Sequence, residues 1–110
     1  MQQISAPQLS LWLEESLAGN RPKPQLLDVR EPWEFEVCRI PDAKLIPMQS
    51  VPARYSELDP TLETVVICHH GVRSYQVGIF LERQGFSGIL NLSGGIAAWA
   101  QQVDSGMPVY

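Results

Sequence analysis

A cysteine, two histidines, a glycine, an arginine and a serine crowd into Cys68-His69-His70-Gly71-Val72-Arg73-Ser74, directly after the apolar run Val65-Val66-Ile67. Such types at such spacing suit nucleophilic chemistry on an anion. The β-branched run reads as a buried parallel strand, and Val77, Phe80 and Leu81 recur at helical spacing within Tyr75 to Gln84. Cys68 therefore stands at a strand end, facing a helix N-terminus. Four residues separate it from Arg73, and the freedom of Gly71 lets the loop curl until several N–H groups point inward as an anion cradle. With the helix dipole and Arg73 added, a thiolate is favoured over a thiol, so Cys68 reads as a nucleophile at neutral pH. The substrate-binding loop is then His69, His70, Gly71, Val72, Arg73 and Ser74, with Arg73 the electrostatic partner. His69 and His70 stand either as solvent-facing loop positions or as substrate contacts titrating near neutrality, and in neither reading as catalysts.

The remaining elements must hold that loop. Ile4 to Ser5 reads as a short strand, and Ser5 or Ala6 before Pro7 opens a helix with Leu9, Trp12, Leu13 and Leu17 on one face, ended by Gly19-Asn20. Gln25 to Val29 has the composition of a central strand, Glu31-Pro32 starts a short helix, and Lys44 to Ile46 is a third strand halted by Pro47. Helical turns are expected over Ser50 to Leu58, then strands at Thr64 to Ile67 and Gly88 to Leu92. Gly94-Gly95 precedes a last helix with Ile96, Trp99, Ala100 and Val103 as its core stripe. Strands alternating with helices predict an α/β fold with a mainly parallel sheet of about five strands, covered on both faces. Ligands sit at the carboxyl ends of such strands, so Asp28 and Arg30 are possible rim residues of the same site, although mutual pairing is the simpler reading. Trp12, Trp33 and Trp99 read as core or half-core, and Glu31, Glu34 and Glu36 as a solvated helix face.

With 110 residues at 12.3 kDa, a single domain over residues 1–110 is expected. A net charge of −4 with scattered Lys and Arg argues against nucleic acid. No apolar stretch is long enough to span a bilayer. The first residues lack the basic and apolar segments of a signal peptide, so a cytoplasmic location is expected. In that setting Cys38 and Cys68 are read as unpaired thiols. Cys38 is taken as a small half-buried hydrophobe, with a resolving thiol as the alternative. No cofactor is called for, and a metal site on Cys68, His69 and His70 is disfavoured because adjacent side chains diverge.

Several segments together resemble the rhodanese-like, single-domain sulfurtransferase family. Leu27-Asp28-Val29-Arg30-Glu31 followed by Glu34-Phe35 is similar to its first hallmark, and Ile40-Pro41-Asp42-Ala43 through Ile46-Pro47 to its second. Cys68 to Ser74 resembles its active-site loop, and Asn91-Leu92-Ser93-Gly94-Gly95 with Trp99 its closing segment. Where the second hallmark usually begins Gly-His, Cys38-Arg39 stands here, so a changed turn or slight strain is expected at Cys38. The resemblance implies transfer of a sulfane sulfur from a small anionic donor, thiosulfate or a persulfide, through a Cys68 persulfide. The acceptor would be cyanide or a thiol, either thioredoxin-like or of low molecular weight, with ping-pong kinetics. A monomer or weak dimer is expected.

Two other readings compete. A cysteine-dependent phosphatase or arsenate reductase also uses a thiolate and an arginine around a ring of amides, but with five residues between Cys and Arg; the shorter ring here suits one sulfur atom better than a tetrahedral oxyanion. A non-catalytic binding or regulatory module of the same fold would ordinarily lack the cysteine.

Overall fold

A computed structural model describes all residues, 1–110. Five strands, β1 (Gln2–Ile4), β2 (Gln25–Asp28), β3 (Lys44–Leu45), β4 (Thr64–Ile67) and β5 (Ile89–Leu92), form one sheet in the order β1-β5-β4-β2-β3. Every pairing is parallel. The helices are α1 (Ala6–Leu17), α2 (Pro32–Val37), α3 (Val51–Arg54), α4 (Val72–Arg83) and α5 (Gly95–Gln102), with 3-10 turns at Met48–Ser50 and Tyr55–Glu57 flanking α3. Parallel neighbours need crossovers, and the helices supply them while covering both faces.

Alternation along β4 divides the core. Val65 and Ile67 point to one face, where Leu9 and Trp12 of α1 and Ile96, Trp99 and Ala100 of α5 pack; Val66 and Cys68 point to the other, against Val51 of α3 and Val77 and Leu81 of α4. All four β4 residues are buried, as a strand covered on both faces must be. The cysteines lie on opposite faces, Cys38 with the first cluster and Cys68 with the second, and both are free thiols.

Several boundaries and burials differ from the sequence expectation. The first strand is Gln2–Ile4 rather than Ile4 to Ser5. Its exposed glutamines gave no apolar signal, and pairing with Leu90, Asn91 and Leu92 is what makes it a strand. Ser5 caps α1 instead, accepting from Gln8 N at 3.2 Å while Gln8 Oε1 accepts from Ser5 N at 2.9 Å, a reciprocal capping box. Leu17 was expected on the buried face of α1, yet it is 91% exposed. Eight residues beyond Leu9 an α-helix has turned roughly 80° past its starting direction, which carries Leu17 off the stripe. Trp33 is 57% exposed, not half-core; it stands edge-on to Tyr110 with ring centroids 5.3 Å apart. Cys38 is buried, and its φ of −163° is ordinary extended backbone, so the missing glycine brings no strain. No helix is long and apolar enough to cross a membrane.

Candidate active site

β4 ends at Ile67 and delivers Cys68 to the carboxyl edge of the sheet, where it is almost wholly buried. Gly71 then adopts φ 101°, a left-handed conformation that turns the chain at once into α4. The helix therefore starts at Val72, earlier than the Tyr75 that apolar spacing indicated, so Arg73 and Ser74 belong to its first turn. First-turn N–H groups have no intrahelical acceptor, so this end of α4 offers open donors and the positive pole of the helix. The Gly71 N–H donates to Cys68 Sγ at 3.1 Å, and Ser74 Oγ lies 3.2 Å from the same sulfur. One inward amide is thus seen on the sulfur, where the sequence suggested several.

A second helix end braces the loop from below. Ile96 N–H donates to the Cys68 carbonyl at 2.9 Å and Ala97 N–H to the His69 carbonyl at 3.1 Å. This close approach requires Gly95, which has φ 57° and whose missing Cβ would collide with both of those carbonyl oxygens. The sequence marked Gly94-Gly95 only as a helix start. Gly95→Ala should destabilise the fold by about 1–3 kcal/mol through backbone strain and slow Cys68 chemistry by displacing the loop. Thermal unfolding and the rate of Cys68 modification check this; an unchanged rate would mean that the α5 contact does not position the loop.

Arg73 does not lie free beside the thiol. Its Nη1 donates to Glu34 Oε2 at 3.0 Å, joining α4 to α2. Burial works against the Arg73 cation, but the hydrogen bond and charge of Glu34 outweigh it and raise the guanidinium above its ordinary value, with a further contribution from Cys68. Glu34 is therefore not part of a solvated face: it is 6% exposed, whereas Glu31 and Glu36 are exposed. Position explains the difference. As the third residue of a helix begun by Pro32, Glu34 turns back toward its own N-cap and meets the Arg73 side chain there.

Asp28 and Arg30 pair with each other, the simpler of their two readings, and do not rim the site. Both are fully buried and form a two-pronged ion pair, Arg30 Nε to Asp28 Oδ1 at 2.9 Å and Nη2 to Oδ2 at 2.8 Å. Arg30 also donates to the Cys38 carbonyl at 2.7 Å, the Glu34 carbonyl at 3.2 Å and Tyr110 Oη at 3.0 Å. Desolvation opposes its charge, and the bonds to Asp28 and Tyr110 more than restore it, raising the guanidinium further above its ordinary value. The pair is a structural knot behind the site, holding the α2 turn and the last residues against β2.

The histidines separate in role. His69 is half-buried between His70 and Tyr110, with ring centroids 4.1 and 4.2 Å away. Burial first, then repulsion from His70, lowers its pKa from the ordinary value, so at neutral pH it is an uncharged stacking surface rather than an imidazolium that recruits anions. His70 and Val72 are exposed. A polar depression of about 380 Å³, lined in part by Gln3, His70, Tyr75, Gln76 and Asn91, opens beside the loop. No group of three or more His, Cys, Asp or Glu side chains is arranged to hold a metal ion.

Three contributors escaped the sequence reading: Glu34, Asn91 and Tyr110. Asn91 had a visible signal, since it interrupts the apolar strand Ile89-Leu90-Asn91-Leu92 at a fully covered position. Ser74 Oγ donates to its Oδ1, while its Nδ2 donates to the Gly71 carbonyl at 3.1 Å and to Gln3 Oε1 at 3.0 Å. Tyr110 had none, because its contacts depend wholly on where the end of the chain returns.

Comparison with known proteins gives the same architecture. A sulfurtransferase of Allochromatium vinosum is 43% identical over 84 residues, covering 76% of each chain. The rhodanese-like/PpiC domain-containing protein 12 of Arabidopsis thaliana chloroplasts is 41% identical over 78% of this chain, which spans only 30% of that protein. The crystal structure of a rhodanese-like domain protein from Staphylococcus aureus superposes with a TM-score of 0.83 at 32% identity, covering 100% of this chain and 99% of that one. The pattern of the rhodanese-like domain matches residues 11–102, a span that holds every strand except β1 and all of the loop from Cys68 to Ser74, and the chain belongs to the rhodanese-like domain family.

Proposed function

We propose that this chain is a sulfurtransferase that carries a sulfane sulfur on Cys68, from thiosulfate or a persulfide donor to cyanide or a thiol. The observation that carries the reading is the Gly71 N–H on Cys68 Sγ at 3.1 Å, at the open N-terminal end of α4. An amide and a helix pole aimed at one sulfur favour negative charge there. In the first half-reaction the Cys68 thiolate attacks the outer sulfur of thiosulfate. The S–S bond to the sulfonyl sulfur breaks, sulfite leaves with the bonding pair, and Cys68 holds a persulfide anion. In the second, cyanide or a thiolate attacks the terminal sulfur, and the Cys68 thiolate leaves. Two half-reactions on one nucleophile give ping-pong kinetics.

Arg73 is the donor-recruiting group in this reading. Its contact with Glu34 uses one Nη1 hydrogen, and a guanidinium has five donors, so others remain for a sulfonate oxygen. Arg73→Ala should raise the KM for thiosulfate about tenfold or more, the scale of one lost charge-assisted hydrogen bond. Stability should fall less, because the Arg73 side chain is one-third exposed. Steady-state kinetics and thermal unfolding separate the two, and an unchanged KM would remove Arg73 from donor binding.

Several features support the choice over its rivals. Four residues between Cys68 and Arg73 make a tighter ring than a phosphate needs, which disfavours the phosphatase and arsenate reductase readings. Possession of the nucleophile disfavours the purely regulatory one. A thiol acceptor, small or carried by a thioredoxin-like protein, completes the cycle in this reading. We place the reaction in the cytoplasm, where reduced thiols are available, with the protein a monomer or weak dimer and with no nucleic-acid or membrane partner. Initial rates against thiosulfate and cyanide test the cycle: parallel double-reciprocal lines are expected, and intersecting lines would overturn the persulfide intermediate.

A further inference from the structure

Asn91 is not part of the loop, yet both of its arms reach the groups that touch Cys68. Its Nδ2 faces two acceptors, the Gly71 carbonyl at 3.1 Å and Gln3 Oε1 at 3.0 Å. That pairing orients the amide, because turning it over would set Oδ1 against the Gly71 carbonyl. Oδ1 therefore faces Ser74 and accepts its hydroxyl hydrogen. A serine hydroxyl has only one hydrogen. With that hydrogen committed to Asn91, the contact between Ser74 Oγ and Cys68 Sγ at 3.2 Å has the thiol as donor. The chain of donors thus runs from Cys68 to Ser74 to Asn91.

Loss of the thiol proton to a solvent base changes what this chain needs. The sulfur anion wants the Ser74 hydrogen, and so does the Oδ1 of Asn91, a residue only 3% exposed. An acceptor left without its donor in such a place is costly. We propose that Asn91 is a positioning residue that sets the proton order at Cys68, its Oδ1 competing with the sulfur for the single hydroxyl hydrogen of Ser74. Asn91 thereby makes the Cys68 anion dearer to form, against the pull of the Gly71 amide and the helix pole. The proposal gives the site of the proposed sulfur transfer its proton control, and rests on that reading only in treating Cys68 as the reacting group.

Other groups around the sulfur do not reproduce this competition. The packed elements bring Arg73 from α4 and Glu34 from α2, already paired, and Asp28 from β2, locked to Arg30. The loop adds His69 and His70, and the last residue Tyr110, stacked on one another. None of these donates to or accepts from Ser74.

The test is the ultraviolet absorbance of the Cys68 thiolate, read as the difference between each protein and its Cys68→Ser counterpart across pH. Asn91→Leu frees the Ser74 hydrogen for the sulfur, and the midpoint should fall by about one pH unit, the worth of one hydrogen bond to a charged group. Asn91→Asp should move it upward, because a carboxylate holds the hydroxyl hydrogen more firmly and adds charge. In a Ser74→Ala background the Asn91→Leu shift should disappear. Simple loosening of the loop would release Gly71 and raise the midpoint in Asn91→Leu, the opposite sign. An unchanged or raised midpoint in Asn91→Leu, or a downward shift that survives Ser74→Ala, overturns the proposal. If Asn91→Leu does not fold, Asn91→Ala carries the same expectation. Thiosulfate treatment of wild type, read by intact mass, is scored separately: no added sulfur alongside the expected shifts would reject sulfur transfer from thiosulfate and leave the role of Asn91 standing.

Discussion

Cys68→Ser should abolish sulfur transfer while leaving the fold in place. Thiocyanate formation from thiosulfate and cyanide is expected to fall by more than about a thousandfold, since removal of a nucleophile forfeits most of the chemical acceleration. The serine hydroxyl can still accept from the Gly71 N–H and meet Ser74, so stability should change by no more than about 1–2 kcal/mol. Intact mass gives the direct readout. After thiosulfate, the wild type should gain one sulfur atom and lose it to cyanide, and the serine variant should gain nothing. Cys38 serves as an internal control: it is buried on the opposite face of the sheet, with its sulfur 3.9 Å from Arg30 Nη1. Sulfur retained by the serine variant would assign the chemistry to Cys38 and end the present mechanism.

The largest loss of stability is expected away from the sulfur, at Arg30. Replacing it by Met keeps much of the volume but strips the cation from Asp28, which is fully buried. Breaking a buried pair from one side costs about 3–5 kcal/mol, because the remaining charge is left uncompensated. The carbonyls of Cys38 and Glu34 and the Tyr110 hydroxyl lose a donor as well. Against a total of about 5–15 kcal/mol for a domain of ordinary stability, Arg30→Met should lower the urea midpoint sharply and leave little folded protein at elevated temperature. Arg30→Lys should not restore it, since an ammonium cannot span both Asp28 oxygens while reaching those carbonyls. Activity per folded molecule is the second readout. A KM for thiosulfate unaltered in the folded fraction is expected of a structural knot, whereas a raised KM would make Arg30 a donor-binding group after all.

Much of the site was visible in local sequence. The apolar run before Cys68, the glycine three residues on and the helical stripe beyond it fix a strand, a turn and a helix by short-range rules, and the parallel sheet follows from their alternation. What was misplaced shares one property. Glu34 was assigned to solvent, although it is buried against Arg73 from a helix 39 residues away in the chain. Arg30 and Asp28 do pair with each other, the simpler of their two readings, but they are fully enclosed rather than at the rim. Gln2 and Gln3 carried no strand pattern and became one only by pairing with β5.

Sequence by itself determined which residue is the candidate nucleophile, which elements carry it and that they form a parallel α/β layer, because backbone propensity, apolar period and glycine freedom act over a few neighbouring residues. Tertiary structure decided the partners. Whether Arg73 lies free or tied to Glu34, whether His69 is charged or stacked on Tyr110, and whether Asn91 reaches Ser74 depend on side chains brought together from distant segments. A hydrogen bond forms only within about 3.5 Å and along a narrow range of angles, and packing of the whole chain sets such distances.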